Sequence, residues 1–326
     1  LAVGLGLLLG VGFTAPARSA AQDANGPASC LVGVHVLTIH TFDTGNNTFD
    51  AGFWLWSVCP DDTIAPLDRL DFINANHVTR TFADTRMADG GVWSYVKIEG
   101  TFRYFWDLYD FPFDRHNLEI RMESVDYDTS MFVFTADTTG SAFEPDMPLE
   151  GWDVADFNVD TSITTYQSVF GDPDNPSGTT TYDRLTVNIE LVRDDFSGFI
   201  KLTFVVYLAF LLSLVGYFIY MEDKTMLAAR LGVVAGAVFA VAVNLHTVTA
   251  ALGNQEGLSM VGKIHVAAMV AIILGALNAL ATQVRIERGD SEAALRRFDR
   301  TTLGIVLAGY LLYNAWLIGT VMFKFW

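Results

Sequence analysis

The residues best placed to do chemistry in this chain are neither nucleophiles nor metal ligands. In YDFPFDRHNLEI (Tyr109–Ile120), Pro112 stands between Phe111 and Phe113 and is followed by Asp114, with strand-like runs on both sides. Proline removes a backbone donor and stiffens the chain, so the segment belongs to a turn rather than to a sheet interior. The two aromatics need an apolar surface, and the aspartate needs a cation or exposed amides. The segment reads as a loop built to press on something. A cation, Arg193 in ELVRDDF, stands directly before the first long apolar run. No GxGxxG, P-loop, HExxH or GxSxG pattern is present, the six histidines lack metal-ligand spacing, and no two acids form a catalytic pair. No enzyme activity, metal or cofactor is expected.

The elements that must position these residues follow from the patterning. Hydrophobic residues make up 51% of the 326-residue chain, and the mean hydropathy is +0.32. That is too apolar for an ordinary soluble protein. Residues 22–198 are polar, aromatic and rich in Asp, and residues 199–326 hold nearly all the long apolar runs. Short alternating runs such as Val92–Lys97, Leu118–Met122, Met131–Thr135 and Leu185–Val192, separated by turn residues, predict an all-β, immunoglobulin-like sandwich. Four runs, Phe199–Tyr220, Leu231–Leu252, Ile264–Val284 and Thr302–Phe323, each reach the ~20 residues a membrane helix needs. Helices are expected at about 199–220, 227–252, 262–284 and 302–323.

Residues 1–20 read as a secretory signal cleaved near Ser19-Ala20-Ala21, with a fifth membrane helix as the competing reading. The domains are then 1–21 signal peptide, 22–195 exported sandwich and 196–326 four-helix membrane domain. Arg285, Arg288, Arg296, Arg297 and Arg300 crowd the expected link between the third and fourth helices, which places that link in the cytoplasm. The sandwich and the C-terminus then lie outside, with Trp316, Phe325 and Trp326 suited to an outer interfacial belt.

The excess of 37 Asp+Glu over 20 Lys+Arg argues against nucleic-acid binding. It leaves a solvated surface or a cation-concentrating vestibule. The only cysteines are Cys30 and Cys59. The alternating segments Cys30–His40 and Thr48–Val58 flank Thr44-Gly45-Asn46-Asn47, a hairpin signal. Folding there brings Cys30 opposite Cys59, as a disulfide in an oxidising compartment or as two free thiols.

In order along the chain stand GFWLWSV (Gly52–Val58), FINAN (Phe72–Asn76), WDLYDFPFD (Trp106–Asp114), GWD (Gly151–Asp153), Arg193, AARLG (Ala228–Gly232) and LSMVGK (Leu258–Lys263). With the sandwich and four helices, this set resembles the pentameric ligand-gated ion channel family. Tyr104 and Leu118 occupy the positions where eukaryotic members carry a loop-closing disulfide, so the resemblance is to bacterial members. It implies a homopentamer in the bacterial inner membrane, opened by a small-molecule agonist or by protons, with permeating ions and membrane lipids as further partners. The second helix would line the pore with Gly232, Gly236, Phe239, Val243, His246 and Ala250, spacings that mark one helix face. Phe239 and Val243 would form a constriction that closes by dewetting.

The family usually has Ser or Thr where Gly232 and Gly236 stand, so a non-conducting membrane-anchored receptor with the same fold is the alternative. Ala228-Ala229-Arg230 resembles anion-selective members, and Glu222, Asp223 and the acidic first domain stand against that. The resemblance to bacterial members, which mostly pass cations, implies a slight lean to cations. His246, and less so His265, could tune opening with pH. The resemblance pairs Arg193 with Asp114 and Asp43, and makes Leu252–Met260 the receiving surface, with Gly253 in place of a common proline. It places an agonist between subunits, with Trp54 from one and Tyr127, Tyr166, Phe170 and Tyr182 from the next. Such an aromatic cage, near acids such as Asp126, suits an amine through cation–π attraction.

Overall fold

The computed structural model describes residues 26–324, apart from 89, 150, 174–176, 194, 220–223 and 254–256. The expected signal segment, Glu222, Asp223, Phe325 and Trp326 lie outside the described residues.

The alternating runs of the first half become strands because period-two burial gives each a core face. Val32, Val34 and Val36 point inward from β1 (Ala28–Asp43), and Phe53 and Leu55 from β2 (Thr48–Cys59). Leu118, Ile120 and Met122 do so from β6 (Arg115–Ser124), and Leu185, Val187, Ile189 and Leu191 from β10 (Thr180–Val192). The other strands are β3 (Leu70–Phe72), β4 (Ala75–Ala88), β5 (Gly91–Arg103), β7 (Phe132–Ala136), β8 (Ala142–Phe143) and β9 (Asp153–Tyr166). Two sheets result. One runs β4-β5-β2-β1-β7 with β8 on β1, and the other runs β3-β6-β10-β9. Their inner faces share an apolar core, as expected of a β-sandwich. β1 and β2 pair antiparallel across the predicted hairpin, and Cys30 and Cys59 form a disulfide with Cα atoms 4.4 Å apart. That decides between the bonded and free alternatives.

Four helices follow, each long and apolar enough to cross a membrane. They are α1 (Phe196–Val215, extended by a 3-10 turn over Gly216–Phe218), α2 (Lys224–Leu252), α3 (Met260–Glu287) and α4 (Glu292–Met322). The Asp195 carboxylate accepts from Gly198 N at the start of α1, and the Ser259 hydroxyl from Gly262 N at the start of α3. α4 begins ten residues before the expected Thr302. Arg296, Arg297 and Arg300 therefore belong to its first turns and not to a link. Hydropathy sees only the apolar part of a helix. The charged extension is carried by helix-compatible residues and an i,i+4 ion pair between Glu292 and Arg296. α2 packs between α1 and α3, and α4 packs on α3.

Candidate functional site at the junction of sandwich and bundle

The loop Tyr109–Asp114 does press on the helices. The Tyr109 carbonyl accepts from Met260 N at 2.8 Å, the first residue of α3. The Lys263 ammonium lies 3.0 Å from the Tyr109 ring centroid, and Lys324 Nζ, just past α4, reaches Asp110 at 2.6 Å. Phe113 is buried, with its ring 5.7 Å from that of Phe199 in α1. Phe111 is buried too, as the apolar surface expected for both aromatics requires.

Asp114 stands behind this contact, fully buried. Its Oδ1 is 3.3 Å from Arg193 Nε, and its backbone oxygen accepts from Arg193 N at 3.0 Å. The Arg193 guanidinium lies 4.1 Å from the Trp152 ring and 4.9 Å from the Phe111 ring. Burial pushes the Arg193 pKa down, and the charges of Asp114 and Asp195 oppose that. The third member of the cluster is His116, not Asp43. His116 Nε2 donates to Asp114 Oδ2 at 2.7 Å, so its Nδ1 is left to accept from the Tyr104 hydroxyl at 3.3 Å. Burial raises the Tyr104 pKa to about 12, which keeps that hydroxyl a donor.

Asp43 makes no ion pair with Arg193. Its carboxylate is used inside the hairpin loop, where Asn46 donates to it from both side chain and main chain, and these bonds lower its pKa. The loop nonetheless touches the bundle. A Cβ on Gly253 would lie 2.9 Å from Gly45 Cα. Gly253 has φ +74, which proline cannot adopt. The glycine therefore permits a main-chain contact between the β1–β2 loop and the segment after α2. Gly253→Ala adds a clash to backbone strain and is expected to cost about 1–3 kcal/mol in denaturant unfolding. Gly257→Ala is the comparison, with φ +96 and open space. Equal losses in the two variants would show that the Gly45 contact contributes nothing.

On α2 the six residues Gly232, Gly236, Phe239, Val243, His246 and Ala250 are all exposed, and Phe239 and Val243 are 71% and 50% exposed. The opposite stripe, Arg230, Val234, Ala237, Val241, Val248 and Leu252, is buried against the neighbouring helices. α2 is the least buried of the four helices. Arg230 faces away from the exposed stripe, with Nη2 2.7 Å from Asp299 Oδ2 of α4 and Nε donating to the Ile219 carbonyl. Asp299 also accepts from Asn278 and Thr282 of α3 at 2.7 and 2.9 Å. His265 is buried. Its Nδ1 donates to the Val261 carbonyl and its Nε2 accepts from Asn244 of α2, which also donates to Leu202 O of α1. It is a structural residue bridging helices.

The aromatic residues fall into three groups. Tyr166, Phe170 and Tyr182 at the β9–β10 hairpin lie 5.4–6.3 Å from one another. Burial raises the pKa values of both tyrosines. Trp54 lies apart from them on β2, 6.3 Å from Phe82 of β4 and 5.8 Å from Tyr95 of β5. Tyr127 joins neither group and packs on Phe132. Asp126 is neutralised by Arg69 at 2.5 Å. The acid beside the hairpin cluster is Glu123, buried, accepting from the Tyr166 hydroxyl and paired with Arg184 at 2.6 Å. Sequence reading missed Glu123, His116 and Asp299. Each has polar neighbours (Arg115 and Asn117 beside His116, Arg121 and Ser124 near Glu123, Arg297 and Arg300 near Asp299), so nothing local marks it out and only the fold supplies its partner.

No family model and no curated protein matches the chain.

Proposed function

We propose that the chain is one subunit of a homopentameric ligand-gated ion channel of bacterial type, with five α2 helices lining the pore. The observation that carries this reading is the exposed stripe of α2, from Gly232 to Ala250, on a helix whose other face is packed. A helix that crosses a membrane with one face left open needs lipid or copies of itself on that face, and α2 sits centrally between α1 and α3. The junction supports the same reading. An agonist or a proton shifts the sandwich, the Tyr109–Asp114 and Thr44–Gly45 loops bear on Gly253 and Met260, and the Phe239/Val243 ring widens and wets.

The agonist is a small amine held between Trp54 of one subunit and the Tyr166–Phe170–Tyr182 cluster of the next, and His246 is the pore group that tunes opening with protons. Arg230 gives the pore little positive charge, because it is buried and paired with Asp299. That favours cations. The sandwich and the C-terminus face outward from the bacterial inner membrane, and the charged start of α4 lies in the cytoplasm.

One observation favours a second reading, a non-conducting receptor. His246 is the only one of the six stripe residues with a polar side chain. Current recordings across planar bilayers, stepping from alkaline to acidic pH and then adding primary amines, separate the two. Single-channel openings whose probability rises severalfold in Phe239→Ala are expected. Silence from well-expressed pentamers of both wild type and Phe239→Ala would reject conduction.

A further inference from the structure

Near the end of the bundle remote from the sandwich, Ser213, Tyr217, Arg230, Gly275 and Asn278 line a small cavity of about 10 Å³ between α1, its 3-10 turn, α2 and α3. That is room for about one water molecule. We propose that the cavity binds a single buried water, to which Tyr217 donates and which itself donates to Asn278.

Two unpaired groups on the cavity wall carry the inference. Asn278 is 4% exposed. Its Nδ2 donates to Asp299 Oδ1 at 2.7 Å, and a carboxylate paired with Arg230 can only accept, so the amide is fixed with its Oδ1 turned the other way. That Oδ1 is buried and has no hydrogen-bond partner among the described residues. The Tyr217 hydroxyl is in the same position. It lies against α3, 3.5 Å from where a Cβ on Gly275 would stand. Gly275 and Asn278, three residues apart on one helix, share a face. Buried polar groups left unpaired are costly, and native proteins pair nearly all of them.

The occupant must both accept and donate. An anion takes the tyrosine hydrogen but offers none to Asn278 Oδ1. A cation serves Oδ1 but stands beside the Arg230 guanidinium, which lines the same cavity. Water does both. Its second hydrogen finds an acceptor in the Ser213 hydroxyl, whose own hydrogen goes to the Phe210 carbonyl at 2.6 Å. That makes three hydrogen bonds, about the usual number for a buried water. Arg230 of α2, Asn278 and Thr282 of α3 and Asp299 of α4 already form one network. The water extends it to Ser213 of α1 and Tyr217 of the turn that follows, so that one set of hydrogen bonds reaches all four helices. Conduction and pentamer formation play no part in this.

The first test is a cryo-electron-microscopy map of the full chain in nanodiscs, at a resolution that shows ordered water. Density for one water is expected within hydrogen-bond reach of Tyr217 Oη and Asn278 Oδ1. A dry cavity, or a direct bond between the two side chains, would overturn the proposal. The second test is thermal melting of variants. Tyr217→Phe keeps the ring and removes the donor, and should lower the melting temperature by about 2 °C, the loss of one net hydrogen bond. A hydroxyl with nothing bound to it predicts the opposite sign, because deleting an unsatisfied polar group stabilises. An unchanged or raised melting temperature therefore rejects the water. Gly275→Ala sets a methyl group in contact with the hydroxyl and should exclude the water. In that background Tyr217→Phe should cause no further loss. A loss as large as in the wild-type background would reveal a bond that needs no water, and would also reject the proposal.

Discussion

Replacing Asp299 by alanine is expected to lower the unfolding free energy by about 3–5 kcal/mol, the range for removing one partner of a buried ion pair. The carboxylate collects polar groups of α2 and α3 onto α4, from Arg230, Asn278 and Thr282. Arg230 is only 3% exposed, so without Asp299 its charge is left in the bundle with one backbone carbonyl as its partner among the described residues. Asp299→Asn keeps an acceptor for Thr282 and should lose less. The double variant Arg230→Met/Asp299→Leu should recover much of the loss, since an apolar pair of similar volume often replaces a buried ion pair at little cost. Denaturant titration of the chain in nanodiscs measures all three. A loss below about 1 kcal/mol in Asp299→Ala, the level of an exposed pair, would show that the network is solvated and not structural.

Arg193→Ala is expected to cost about 3 kcal/mol, at the lower end of the same range because the arginine side chain keeps 18% of its exposure. It leaves Asp114 with His116 alone and removes the cation from the Trp152 and Phe111 rings. Arg193→Lys should recover only part of this. Lysine keeps the charge but not the planar group that stacks on Trp152 while facing a carboxylate. Under the proposed function, Arg193→Ala also separates sensing from opening. Acid or amine should no longer evoke current, while Phe239→Ala added to the same chain should still leak. A lysine variant equal to wild type in stability and in evoked current would reduce Arg193 to a point charge.

Much of the architecture was legible because it rests on local patterning. The four apolar runs and the β1–β2 hairpin show in hydropathy and alternation, and the turn at Phe111–Asp114 shows in one proline. The edge strands β4 and β9 were harder to see. Both are largely exposed, so they carry little of the apolar alternation that burial imposes. The start of α4 was misplaced for a related reason, since five of its first ten residues, Glu292, Arg296, Arg297, Asp299 and Arg300, are charged. At the site, the pairing of Arg193 with Asp114 came from the family resemblance and not from patterning, and Asp43 could not be excluded. Its use by Asn46, three residues on, is a matter of loop conformation. His116 was two residues from Asp114 and still missed, because strand alternation alone does not show that a histidine side chain will share a buried carboxylate.

The meeting of Gly45 and Gly253 has a consequence for how this junction would appear in a mutational survey. Truncation scans find a contact by deleting the side chain that makes it. Here the two surfaces touch through main chain, and neither residue has a side chain to delete. An alanine scan therefore shortens nothing at this point and reports only the cost of adding a methyl. The place where the hairpin bears on the helices would look tolerant to every deletion made around it, and intolerant only to growth.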